Sequence, residues 1–142
     1  MADLYLAVLR THQRIYEKTG GALGHRLLGM PTLLLRTIGR RSGQARTSAL
    51  VYAREDDAYL VVASDGGART SPAWLHNLRA EPECEIQIGR RRRPATAEIV
   101  SRDDDRHAAL LAKCDAVNRG RYSAYQHRTE RPIPIVVLTP HR

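Results

Sequence analysis

The chain predicts a mainly β fold with peripheral helices, an antiparallel barrel or sandwich of about six strands. Three observations carry this expectation. Short apolar or alternating runs recur from Thr32 to Leu138, most of them are joined as hairpins, and a long connection after Val100 leads back to a last strand that can close the sheet. At 142 residues, with no internal repeat and no linker, the elements fit one domain spanning 1–142.

The first element is an amphipathic helix over residues 1–19. Asp3 can cap it, Leu4, Leu6, Ala7, Val8 and Ile15 form its apolar side beside Arg10, Arg14, Glu17 and Lys18, and Gly20-Gly21 stops it. Such a helix can dock on its own barrel, or lie on a membrane or over a substrate site. A short helical turn over Leu23 to Leu28 follows. The barrel is expected over residues 31–140. Pro31 opens Thr32–Ile38, whose nearly continuous apolar run predicts burial on both faces. Thr47–Arg54, the turn Glu55-Asp56-Asp57 and Ala58–Ala63 read as a hairpin. Ser71-Pro72 supplies a cap and first-turn proline for a short helix carrying Trp74 and Leu78.

Glu81-Pro82 opens a strand with strict alternation, Cys84, Ile86 and Ile88 on one face and Glu83, Glu85 and Gln87 on the other. Gly89–Arg93 turns it into Pro94–Val100. Asp103-Asp104-Asp105 offers a cap and favourable charge to a helix bearing Ala108, Leu110, Leu111, Cys114 and Val117, ending near Asn118 and Gly120. The last strand is Ile133–Leu138, with pairing expected after Pro134.

Charge narrows the partners. Lys and Arg number 23 against 15 Asp and Glu, a net +8, which calls for an acidic ligand, an anionic surface or nucleic acid. Arg90–Arg93 is the densest basic run, yet it has no aromatic stacking platform and the chain has no Phe, so a nucleic-acid partner is not expected. Cys84 and Cys114 fit no disulfide framework and no metal spacing, so no metal site is expected. No apolar run approaches the roughly 18 residues that span a bilayer, and residues 1–4 lack a signal-peptide pattern; the expected location is cytoplasmic, with membrane contact reserved for the N-terminal helix.

Three stretches carry chemistry. Gly39-Arg40-Arg41-Ser42-Gly43-Gln44-Ala45-Arg46 places three guanidinium groups, a hydroxyl and two glycines between two strands. That composition suits an anion cradle built on arginine forks, and equally a solvated basic turn. It lacks P-loop spacing. Ala63-Ser64-Asp65-Gly66-Gly67 leads into Ser71-Pro72-Ala73-Trp74-Leu75-His76-Asn77-Leu78. Tyr122-Ser123-Ala124-Tyr125 puts two phenols on one helical face ahead of the last strand, where they can roof a pocket or pack.

In this order and spacing, these stretches together with Arg131-Pro132-Ile133-Pro134-Ile135-Val136-Val137-Leu138 closely resemble the deazaflavin-dependent nitroreductase family, from about Gly20 to Pro140. The resemblance implies a split β-barrel oxidoreductase that uses coenzyme F420 to carry a hydride to a quinone, enone or nitro-type small-molecule acceptor. It also implies the site. The coenzyme's phosphate and acidic tail would fall to Arg40, Arg41, Ser42 and Arg46. Its ring would lie beside Thr47, Ser48, Ala49, Leu50 and Val51, the backbone of Val62, Ala63, Ser64 and Asp65, and the helix Ala73, Trp74, Leu75, His76 and Asn77. Tyr122 would stand near ring and acceptor.

Ser64, Tyr122 and Tyr125 are the expected catalytic side chains, because a hydroxyl can donate to an acceptor oxygen without ionising. Two departures stand out. Asp65 replaces the lysine common in the family's A-S-K-G-G motif, and Arg119 stands near where well-studied relatives carry a further tyrosine, so activity on nitroimidazoles does not carry over. The alternative ligands are flavin mononucleotide (FMN) or a lipid on the same barrel, and a homodimer is the assembly considered.

Overall fold

The computed structural model describes residues 26–27, 30–64 and 70–142. The expected helix over 1–19 and the Asp65-Gly66-Gly67 turn lie outside the described residues. Eight strands and three helices follow: β1 (Arg26–Leu27), β2 (Met30–Ile38), β3 (Ala45–Val51), β4 (Ala53–Glu55), β5 (Ala58–Val62), α1 (Ala73–Ala80), β6 (Glu83–Ile88), β7 (Arg91–Val100), α2 (His107–Asn118), α3 (Arg121–His127) and β8 (Ile135–Pro140). Where a helical turn was expected, Arg26 and Leu27 are extended, paired with Pro31 and Met30 along the start of β2. Backbone partners offered by that strand outweigh the weak helical signal of so short a segment.

The pairing is antiparallel throughout, in the order β1-β2-β6-β7-β8-β5-β4, with β3 on β2. Strand β3 runs along β2 from Ile38↔Ala45 to Thr32↔Val51, while β4 pairs with β5. Only Tyr52 separates β3 from β4, so the two ends of the strand order are consecutive pieces of chain and the sheet curls back on itself as a split barrel. The single strand expected over Thr47–Arg54 is broken there. It has to serve two neighbours, and Tyr52, whose N–H donates to the Pro31 carbonyl at 3.1 Å, marks the change of partner.

Side chains sort by strand alternation into two layers. Leu33, Leu35, Val61, Ile86, Ala95, Val136 and Leu138 pack with Trp74, Leu75 and Leu78 of α1. On the reverse face of the same strands, Leu60, Val62, Val100 and Ile135 pack with Leu110 and Cys114 of α2 and with Tyr122 and Tyr125 of α3. Burial of β2 on both faces is borne out: Leu33, Leu34 and Leu35 are fully buried, each worth roughly 1.5–3 kcal/mol of transfer free energy.

Three further expectations are corrected. Arg91, Arg92 and Arg93 belong to β7, paired with Ile88, Gln87 and Ile86, and only Gly89 and Arg90 form the turn, with Gly89 supplying the positive φ of 58°. Proline 72 is the residue before α1, without a side-chain cap bond, so Ser71 lies one position outside. The aspartate run does not cap α2, which starts at His107. Instead the Asp104 carboxylate accepts the Arg106 N–H ahead of the helix and the Arg106 guanidinium, both at 2.9 Å, and the guanidinium also meets Glu98 at 2.9 Å. The side-chain bonds from Arg106, and then its backbone bond, hold Asp104 down to about 2.

Candidate functional site

Six residues, Gly39 to Gln44, join β2 to β3, and local hydrogen bonds fix their path. The Gly39 N–H donates to the Gln44 carbonyl and the Gly43 N–H to the Gly39 carbonyl, both at 2.8 Å, with Gly43 at φ 70°. A Cβ on Gly39 would stand 2.6 Å from Ser42 Oγ, so glycine there is what lets the hydroxyl sit over the loop. Ser42 Oγ accepts the Gln44 N–H at 3.2 Å and lies 3.5 Å from Arg46 Nη2.

Helix α1 is bolted to this loop by one residue. Asn77, 5% exposed, accepts the Arg40 N–H through Oδ1 and donates through Nδ2 to Thr37 Oγ1 on β2, both at 3.1 Å. Between loop and helix opens a cleft of about 350 Å³ lined by Gly39, Arg40, Arg41, Ser42, Arg46, Ser48, Ala73, Trp74 and Asn77. Three other arginines are paired with carboxylates: Arg36 and Arg92 with Glu85, Arg106 with Glu98 and Asp104. Arg40, Arg41 and Arg46 have no carboxylate partner among the described residues. Partial burial, and then the positive charge of Arg40 and Arg79, hold the His76 imidazole below its ordinary 6.5, so it adds no charge at pH 7.

Eight of the residues assigned from the sequence thus meet in one cleft. The others divide by strand and helix periodicity. Ser48 faces the cleft, whereas Thr47, Ala49 and Val51 alternate to the reverse face, where Ala49 meets Leu34. Leu50 and Leu75 pack into the barrel interior.

Tyr122 and Tyr125 stand edge to face, centroids 6.2 Å apart, in the layer outside β5 and β8. Burial raises the Tyr125 phenol pKa, against the pull of Arg121 and Arg128, so it stays protonated. Tyr122 opens onto a second cleft of about 460 Å³ between α2 and α3, shared with His107, Leu111, Gln126, His127 and Ile133 among others. No described residue lines both clefts. The change of layer falls at the end of β5: Val62 belongs to the apolar cluster that holds Tyr122, and its neighbour Ala63 to the one that holds Trp74.

At that seam lies a residue whose role sequence reasoning missed. Arg131, in the connection from α3 to β8, donates through Nη1 to the Ala63 carbonyl at 3.1 Å and through Nη2 to the Ser64 carbonyl at 2.9 Å. The signal available was a lone arginine at the head of the apolar Arg131–Leu138 run. Cys84 and Cys114, both pushed up to about 12 chiefly by burial, have no nucleophilic character at neutral pH. Among the described residues no group of three His, Cys, Asp or Glu side chains could hold a metal ion, and no helix is long and apolar enough to cross a membrane.

A family model described as F420H(2)-dependent quinone reductase matches residues 8–140. An F420H(2)-dependent quinone reductase of Mycobacterium tuberculosis strain H37Rv is 50% identical over 133 residues, 93% of this chain and 89% of its own. Among solved structures, an F420-H2 dependent reductase superposes with a TM-score of 0.67 at 29% identity, over 76% of this chain and 93% of that one. A chain described as a domain-swapped dimer superposes at 0.70 with 28% identity, over 91% of this chain and 95% of that one.

Proposed function

Because the chain belongs to the F420H(2)-dependent quinone reductase family, we propose that it binds coenzyme F420 through the arginine cleft and reduces a quinone-type small molecule. The single observation that carries this is the convergence of three guanidinium groups without carboxylate partners, Arg40, Arg41 and Arg46, with the Ser42 hydroxyl on a cleft walled by Trp74 and Asn77. This donor set fits the coenzyme. Planar forks match a phosphate and successive carboxylates, and the close approach at Gly39 seats the Ser42 hydroxyl beside them.

When bound, the deazaflavin supplies the hydride. The chain's residues bind, orient and deliver a proton. Arg40, Arg41, Ser42 and Arg46 hold the anionic tail, Asn77 fixes the loop that carries them, and Trp74 and Ser48 wall the cleft. The end of β5 takes the central position, because Val62 and Ala63 belong to different apolar layers. Ser64, Tyr122 and Tyr125 are the hydroxyls the resemblance assigns to the acceptor, where one can polarise an acceptor oxygen and another pass on the proton that must follow a hydride.

FMN on the same barrel would leave most of the arginines without work, since it has one phosphate. Fluorescence titration of the protein with F420 and with FMN tests the reading. Tighter binding of F420, weakened by salt, is expected; FMN binding equal to or tighter than F420 refutes it. A homodimer is supported by the domain-swapped structure, and sedimentation velocity checks it.

A further inference from the structure

We propose that Arg131 is a positioning residue for hydride transfer: its guanidinium bolts the end of β5 to the segment that leads into α1, and so sets how the Ser64 backbone lies against the helix that walls the arginine cleft. The inference rests on the functional reading above and concerns a residue that neither binds the anionic tail nor lines either cleft.

The geometry is a three-way fork. Nη1 donates to the Ala63 carbonyl at 3.1 Å and lies 3.4 Å from Ser71 Oγ, while Nη2 donates to the Ser64 carbonyl at 2.9 Å. Ala63 is fully buried and Ser64 6% exposed, so both carbonyls need a donor from the protein. Ser71 lies two residues before Ala73, where α1 begins, and α1 delivers Trp74 and Asn77 to the arginine cleft. One planar group therefore fixes the distance between the Ser64 backbone and the helix that walls the cofactor cleft.

Arg131 is itself held. Its carbonyl accepts Gln126 Nε2 at 2.8 Å, and Gln126 Oε1 accepts the Ile133 N–H at 2.9 Å. His107 Nε2 meets the Ile133 carbonyl at 2.9 Å. Gln126 and His107 both line the second cleft. A continuous chain of contacts thus runs from the second cleft through Gln126 and Arg131 to the backbone of Ser64. A lysine in place of Arg131 keeps the charge but cannot serve three acceptors in one plane.

Arg131→Lys tests this, with Ser71→Ala as the variant that removes one arm and leaves the guanidinium on β5. For Arg131→Lys the expected result is at least a tenfold fall in kcat with menadione, while the Kd for F420 by fluorescence moves less than threefold. Added ethylguanidinium should restore part of the turnover of Arg131→Ala. Ser71→Ala should lower kcat by a smaller factor.

A readout independent of the coenzyme accompanies it: hydrogen exchange of the F420-free protein should rise selectively in the amides of 63, 64, 71 and 73–75. A purely structural role predicts a lower melting temperature with kcat per folded molecule unchanged and no rescue, and that pattern overturns the proposal. If Arg131→Lys does not fold, unchanged kcat and exchange in Ser71→Ala overturn it instead. Wild-type protein that fails to bind F420 refutes the functional reading; with local exchange altered as expected, the bolt itself would stand.

Discussion

Replacing Asn77 by alanine removes the two bonds that tie the arginine loop to α1 and to β2. Both are 3.1 Å long, Asn77 is 5% exposed and Thr37 1%. The Thr37 hydroxyl is left buried without its donor, and the Arg40 N–H turns to solvent. An orphaned buried polar group costs about 1–3 kcal/mol, which in a domain of this size lowers Tm by roughly 3–10 °C. The functional consequence is larger than the contact, because Arg40 and Arg41 then leave the geometry in which they face Trp74. Affinity for F420 should fall about tenfold.

Thr37→Val separates the effects: it forfeits the same buried bond, keeps Asn77 on the Arg40 amide, and should cost stability with a smaller loss of affinity. Differential scanning fluorimetry paired with F420 titration reads both quantities. Equal weakening in the two variants would assign the effect to general loosening of α1 against β2, and an Asn77→Ala protein that binds F420 like the wild type would refute the account of the cradle.

Arg46→Ala removes an exposed guanidinium, and its contact with the anion is discounted by solvent to about 0.5–1 kcal/mol, a two- to fivefold rise in Kd; an unchanged Kd in low salt would remove Arg46 from the site. His76 makes binding pH-dependent. Its pKa in the folded chain lies below the ordinary 6.5, so the stability linked to its neutral form is present above that value and lost as pH falls below it. An anion on Arg40 offsets one cause of that depression, so F420 should raise the His76 pKa and bind more tightly as pH drops towards 6; imidazole shifts in an NMR titration that ignore the coenzyme would contradict this. For Tyr122→Phe we expect kcat to fall ten- to a hundredfold, about 1.4–2.7 kcal/mol of barrier, with F420 affinity retained. Lost thermal stability at unchanged turnover would place the phenol in packing alone.

Local signals made much of this legible. Three consecutive leucines in β2 reported a strand buried on both faces, and the alternation of Cys84, Ile86 and Ile88 against glutamates reported which side of β6 faces inward. The arginine loop was legible as well, since its residues are contiguous and its glycines have a local backbone reason. What stayed hidden depends on neighbours remote in sequence. Nothing in Val51-Tyr52-Ala53 announces that one strand changes partner from β2 to β5. The aspartates ahead of α2 looked like a cap because the sequence does not show that the helix starts only at His107, nor that the strand residue Glu98 comes beside Arg106. Tyr122 was correctly placed on a helix face, but whether that face meets the arginine cleft is a property of the barrel's two sides.

Net charge is the clearest case of a global number that only contacts can interpret. A surplus of +8 is compatible with any acidic partner. The structure divides the arginines by what they touch. Arg36 and Arg92 share Glu85, Arg106 is held by two carboxylates, and Arg131 is spent on backbone carbonyls. Arg91, Arg92 and Arg93 lie along β7 in pairing with β6, so the basic run is drawn out along a strand instead of gathered at a loop. Arg40, Arg41 and Arg46 differ from these in combining absence of a carboxylate partner with convergence on one concave surface beside an aromatic wall. A ligand that satisfies them must carry several negative charges over a short span together with an apolar ring. A duplex would instead need basic groups spread over a convex or grooved face. That geometry, rather than the size of the charge, is what favours the proposed coenzyme site over a nucleic-acid surface.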